Sequence, residues 1–183
     1  MPRIPRGETA GGNMRMQVFD DMEDYEYFLE LLEIASKREK VEVHAYCLMP
    51  NHFHLLLIPQ EPNSLSRLMQ WVMTSHVRYY HKKNKTSGHI WQGRYKSFIV
   101  EKESYYITLL RYIEANARRA KLVRKAEDLD YGSLMGRVNT IKLRKKPSVG
   151  WVFQPTTSIV CLILIDFTSV HGGLENPPYL YKT

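Results

Sequence analysis

His52 and His54 stand one residue apart in "CLMPNHFHLLL", residues 47–57, inside an otherwise apolar run. Side chains alternate along a strand, so His52, His54, Leu56 and Ile58 share one face, and Phe53, Leu55 and Leu57 take the other. Two imidazoles side by side can close on one metal ion. Imidazole suits zinc, manganese, iron or nickel, whereas magnesium favours oxygen donors. A cation held there would polarise a phosphoryl oxygen and stabilise charge in a transition state. Two ligands make an incomplete site, and the same pair also reads as two hydrogen-bonded, half-exposed strand histidines. The metal reading therefore requires a further ligand and a reacting group.

Tyr112 and Asn116 offer both. They are four residues apart in "YYITLLRYIEANARRA", which puts them one turn apart on one face of a helix. The Asn116 carbonyl oxygen could complete a metal site. The Tyr112 phenol could attack a phosphate held beside that metal. A free phenol titrates near pH 10, so it needs a neighbouring cation or lysine to activate it. The chain has 12 tyrosines, and the competing reading of Tyr112 is an amphipathic side chain with its ring buried and its hydroxyl solvated.

The elements that would position these residues follow from periodicity. Residues 1–13 are rich in Pro, Gly and Arg and read as an arm or loop. The spacing of Tyr25, Phe28, Leu29 and Leu32, after an acidic first turn and before Lys37, Arg38 and Lys40, predicts a helix over about 22–38. "VEVHAYCLM" alternates, with Val41, Val43, Ala45 and Cys47 set against Glu42, His44 and Tyr46. Pro50 and Asn51 make the turn, and "HFHLLLI" returns as the second strand of a hairpin. A second helix opens at Asn63 or Ser64, with Leu65, Leu68, Met69, Val72, His76 and Tyr79 on one face. "YKSFIVE" reads as a strand. "ESYYITLLRYIEANARRA" reads as a third helix with Tyr106, Leu110, Ile113 and Ala117 buried. Preceded by one further strand, this order is the βαββαβ, ferredoxin-like α+β arrangement of an antiparallel sheet with flanking helices, plus the helix that carries Tyr112.

Composition limits the function classes. The hydrophobic fraction of 44% and charged fraction of 25% are those of a globular chain. The formal charge of +7 favours polyanionic partners such as nucleic acid. Cys47 and Cys161 have no paired spacing, which excludes a zinc ribbon or disulfide framework as the organising device. The apolar run Ile159 to Ile165 is far short of the about 20 residues that span a bilayer. The opening "MPRIPRGETAGG" lacks an apolar secretory segment. A cytoplasmic protein without a membrane partner is expected.

Three ordered segments, "HAYCLMPNHFHLLL", "GHIWQGRYKSFIVE" and "YYITLLRYIEANARRAKLV", resemble the single-tyrosine HUH transposases, and within them the REP-associated tyrosine transposases; the opening "MPRIPRGETAGG" is similar to that branch too. The resemblance covers roughly residues 1–139. It implies a tyrosine transposase that cleaves and rejoins single-stranded or hairpin DNA, as a monomer or a homodimer. His52, His54 and Asn116 would hold Mg²⁺ or Mn²⁺, and Tyr112 would form a 5′-phosphotyrosine link and release a 3′-hydroxyl. The harder metal replaces the softer-metal guess because phosphate and water oxygens complete its shell. Lys82, Lys83 and Lys85, then Trp91, Gln92, Arg94 and Lys96, then Arg118 and Arg119, fit a DNA path, with cations on phosphates and an aromatic ring on unpaired bases.

The chain departs from that pattern at both ends. Relatives carry a strand after the Gly-rich opening, central in the sheet and beside the histidine strand. Here Gly11 and Gly12 run directly into "NMRMQVF", so the first strand is shortened, and 13–19 is expected to substitute as a shifted strand. Residues 140–183 match nothing and are expected to form a tail outside the 1–139 domain, either a decayed end or an added edge strand or partner surface. "IVCLILI" in that tail is uncharged and β-prone, an aggregation hazard if exposed. The competing function is a catalytically decayed nucleic-acid-binding relative; a weaker third is a water-using metallohydrolase.

Overall fold

The computed structural model describes residues 17–91, 95–100, 103–136 and 160–166, with backbone alone over 98–100, 103–104 and 160–166. In chain order the elements are α1 (Met22–Glu39), β1 (Val41–Met49), β2 (His52–Pro59), α2 (Ser64–Asn84), β3 (Lys96–Val100), α3 (Glu103–Glu114), α4 (Asn116–Arg119), a 3₁₀ turn (Ala126–Asp128) and β4 (Val160–Asp166). The fold is α+β: an antiparallel sheet in the order β1-β2-β4-β3, with helices on both faces.

The first helix forms where the local chemistry directs it. Asp21 caps it by accepting from the Asp24 amide at 3.2 Å, and Asp24 Oδ2 accepts from the Asp21 amide at 3.3 Å. This reciprocal capping is worth about 1 kcal/mol. Lys40 ends the helix in the left-handed region at φ 52°. Tyr25, Phe28, Leu31, Leu32 and Ala35 are its buried face. With Leu68, Met69, Val72 and Tyr80 of α2, they cover one face of the hairpin through Phe53, Leu55 and Leu57. Phe19 stacks on Tyr25 at 4.8 Å, and Val18 donates to the Pro50 carbonyl at 2.7 Å.

The hairpin corrects the simple alternation of the first strand. Val43 opposes Leu57, but Ala45 opposes Leu56, so the register shifts by one residue across His44. Such a bulge sends every later side chain to the opposite face. Val41 and Val43 therefore face α1 and α2, whereas Ala45, Cys47 and Met49 lie on the α3 side, in line with Leu56, His54 and His52. Without the extra residue, Cys47 and Met49 would leave the histidine face.

The sheet interior differs from expectation at both chain ends. Residues 17–19 form no strand; they are pinned to the hairpin turn through Pro50, while 13–16 lie outside the described residues. The position beside the histidine strand belongs instead to β4, from the tail. It pairs antiparallel with β2 from His52↔Asp166 to Leu57↔Cys161, and with β3 from Lys96↔Leu164 to Val100↔Val160. The apolar run is thus an interior strand with backbone partners on both sides rather than an edge. Such pairing removes the open ladder that makes a β-prone segment aggregate.

One core histidine gives the fold an acid sensitivity. His76 is fully buried among Phe19, Phe28 and Trp91, and neither ring nitrogen has a hydrogen-bond partner among the described residues. Burial pushes its pKa down to about 4, from 6.5. The unfolded chain therefore binds the extra proton first, and stability falls as pH drops from about 6.5 to about 4. The loss is about 3 kcal/mol. In urea denaturation across that range, His76→Leu is expected to remove this component of the acid slope; an unchanged slope would contradict the assignment.

Candidate active site

The α3 helix lies on the histidine face of the sheet. Tyr106, Leu109 and Ile113, with Ala117 of α4, pack against Ala45, Cys47, Met49 and Leu56. Polar contacts hold its two ends. Near the start, Tyr106 Oη is 2.5 Å from His44 Nδ1, and His44 Nε2 is 2.9 Å from Glu42 Oε2. Near the end, Ser133 Oγ donates to Glu114 at 3.2 Å and accepts from the Tyr46 amide at 3.1 Å. Tyr112 sits between these anchors.

This packing brings Tyr112 to the histidines. The Tyr112 and His54 rings are 6.4 Å apart between centroids and nearly perpendicular, at 85°. His54 is itself 5.1 Å from His52, again edge to face. His54 is buried, while His52 and Tyr112 are half-buried. The single helix expected through residue 120 is interrupted: α3 ends at Glu114, and α4 begins at Asn116 after Ala115. The α-type bonds Ala115 N to Arg111 O and Arg119 N to Ala115 O bracket the break, so the chain keeps its course.

The donor set suits a cation. Asn51 Oδ1 lies 2.6 Å from His52 Nδ1. An amide oxygen accepts, so Nδ1 carries the proton and the ring lone pair is on Nε2, the arrangement that fixes a metal-binding imidazole. Asn116 is buried, and its amide nitrogen has no hydrogen-bond partner among the described residues. A buried donor left so costs about 1–3 kcal/mol, which a bound oxygen ligand would relieve. Cys47 lies opposite His54 in the register, but burial pushes its thiol up to about 12. With no metal bound the thiol is protonated. Among the described residues, no three His, Cys, Asp or Glu side chains gather as a metal cluster.

The cationic residues divide by location. The Arg119 guanidinium sits 4.5 Å over the Tyr112 ring, and Arg118 beside it is exposed. Lys96 is exposed and occupies the same cross-strand row as Leu164 and His54, two strands and about 10 Å from the histidine. Lys82 and Lys85 are exposed at the end of α2. Lys83 instead bonds Asp21 at 2.8 Å and Asp24 at 2.6 Å. Burial opposes its charge, yet these carboxylates overcome that and raise its pKa. Lys83 thus ties α2 to the cap of α1.

Trp91 requires a correction. Its ring is buried in the core against Phe53 at 5.3 Å and His76 at 5.3 Å, so it is not offered to a nucleic-acid base. Gln92 and Arg94 lie outside the described residues. Sequence reasoning missed Asn51 as the partner of His52, because a Pro-Asn pair reads first as a turn. It also missed the Glu42–His44–Tyr106 contacts, which depend on the bulge.

No curated protein and no solved structure matches the chain. The family model described as "Transposase IS200 like" matches residues 11–116. That span takes in His52, His54, Tyr112 and Asn116 and covers over half of the sequence. No described helix is long and apolar enough to cross a membrane. With the histidine pair, the facing tyrosine and this match together, the chain belongs to the IS200-like transposase family.

Proposed function

We propose that this protein is a metal-dependent transposase of single-stranded or hairpin DNA that works through a covalent tyrosine intermediate. The observation that carries the reading is the Tyr112 ring set 6.4 Å from His54 and across from the His52–His54 pair. His52, His54 and Asn116 would hold Mg²⁺ or Mn²⁺. When bound, the cation would withdraw charge from the scissile phosphate.

The chain's own residues then do the rest. Tyr112 Oη attacks the phosphorus and forms the P–O bond of a 5′-phosphotyrosine. The P–O3′ bond breaks, and the departing oxygen takes up a proton as a 3′-hydroxyl. The reverse reaction with another 3′ end rejoins DNA and frees the tyrosine, so bond energy is conserved through the cycle. Arg119, over the Tyr112 ring, would place a fixed positive charge beside the nucleophile and the incoming phosphate. Arg118, Lys96, Lys82 and Lys85 would track the DNA backbone. The branch similar to the REP-associated enzymes belongs to the same proposal; a working domain confined to 1–139 does not, because Val160–Asp166 is an interior strand of the sheet that carries the histidines.

Incubation of the full chain with a labelled single-stranded hairpin and Mn²⁺ is expected to give a covalent adduct on a denaturing gel. Tyr112→Phe should lose at least about 10³-fold in adduct formation while still binding DNA. Cleavage that survives this change would point to water as nucleophile, and binding without cleavage in the unaltered protein to a decayed relative. Asn51→Ala, which removes the brace on His52, should weaken Mn²⁺ binding by about 10-fold or more in calorimetry; unchanged affinity would separate Asn51 from the site. Lys82→Ala with Lys85→Ala should lower the salt dependence of DNA binding by about 0.7 log units per lysine; an unaltered slope would remove both from the DNA path.

A further inference from the structure

We infer that residues 129–133, which follow the 3₁₀ turn, are a strap that sets the position of Tyr112, with Ser133 as its positioning residue. This rests on the proposed role of Tyr112 as nucleophile. It adds residues from outside the segment matched by the family model, which ends at residue 116.

The inference starts from the outer edge of the sheet. β1 is the end strand, with β2 on one side. Residues 131–133 close against its other side. The Leu48 amide donates to the Tyr131 carbonyl at 3.1 Å, Gly132 bridges to Cys47, and the Tyr46 amide donates to Ser133 Oγ at 3.1 Å. Amides two residues apart point to the same side of a strand, so the strap meets successive outward donors of β1. It also touches both helical layers. The Tyr131 ring stacks on Tyr25 of α1, 4.2 Å between centroids and 8° from parallel. Leu129 packs with the α3 cluster on the opposite face. Gly132 is buried at the crossing, where an added Cβ would stand 3.1 Å from Leu129 Cδ2.

One atom carries this edge to the tyrosine. A hydroxyl has one donor and two acceptor positions. Ser133 Oγ accepts from the Tyr46 amide and donates to Glu114 Oε1 at 3.2 Å. Glu114 is buried and ends α3, two residues after Tyr112 and two before Asn116. Cys47, next to Tyr46, packs under α3 and opposes His54 in the register. Apolar packing holds α3 on the sheet but is non-directional, whereas a hydrogen bond fixes distance and angle. The Ser133 bridge therefore sets the turn that carries Tyr112 against the strand beside the histidines.

The test uses the full-length protein and two readouts. The first is the rate of adduct formation at saturating hairpin DNA. A misplacement of about 1 Å can cost on the order of 100-fold in rate, so Ser133→Ala is expected to slow adduct formation by about 10- to 100-fold. Its DNA affinity and far-ultraviolet circular dichroism should stay unchanged. The second readout needs no catalysis: the fluorine resonance of 3-fluorotyrosine placed at position 112, without DNA. Ser133→Ala should shift or broaden that line. Ser133→Thr, which keeps Oγ, should retain both the rate and the line. An unmoved line, or an unchanged rate, in Ser133→Ala would overturn the inference while leaving Tyr112 as the nucleophile. A line that moves in a protein whose unaltered form gives no adduct would uphold the strap and sink the nucleophile reading instead.

Discussion

The approach of Tyr112 to the His52–His54 pair depends on one helix lying against one face of the sheet. Leu109 and Ile113, with Ala117, meet Ala45, Cys47, Met49 and Leu56. Burying each of the larger side chains contributes about 1.5–3 kcal/mol, which outweighs the about 1 kcal/mol of a typical polar contact. Apolar packing therefore decides that α3 docks. The Tyr106–His44 and Glu114–Ser133 contacts decide how it is turned about its axis. With both satisfied, Tyr112 is directed toward His54. Because packed interiors deform little, a one-residue shift in β1 would reach the tyrosine through Cys47 and Met49.

The sheet under that helix is completed from an unexpected direction. Its interior place next to β2 is taken by Val160–Asp166, the last strand in sequence, rather than by a strand before α1. An interior strand must pair on both sides to satisfy its backbone groups, and β4 does so with β2 and β3. Backbone direction and pairing define this slot. A segment of adequate length and β propensity can fill it from the far end of the chain.

What the sequence made legible was local. The α1 cap and stripe, the hairpin about Pro50 and Asn51, and α2 up to the polar loop could be read from periodicity and turn residues, because capping and alternation are set by neighbours in the chain. The bulge at His44 could not: an extra residue in a strand leaves no mark on composition, yet it reassigns Ala45, Cys47 and Met49 to the other face. The partners of β4 were hidden for a related reason, since pairing across more than a hundred residues depends on register rather than local pattern. Trp91 misled because an aromatic ring amid basic residues suits both a core and a base-stacking surface, and burial against Phe53 settles it for the core. His52 and His54 were visible as a pair, but their approach to Tyr112 exists only after α3 has docked.

The most direct measurement is peptide mapping of the covalent DNA adduct by mass spectrometry. Trypsin cuts after Arg111 and Arg118, releasing "YIEANAR", in which Tyr112 is the only tyrosine. The nucleotide mass is expected on this peptide and nowhere else. An adduct on a peptide that contains Tyr105 or Tyr106, or cleaved DNA with every tyrosine unmodified, would contradict it.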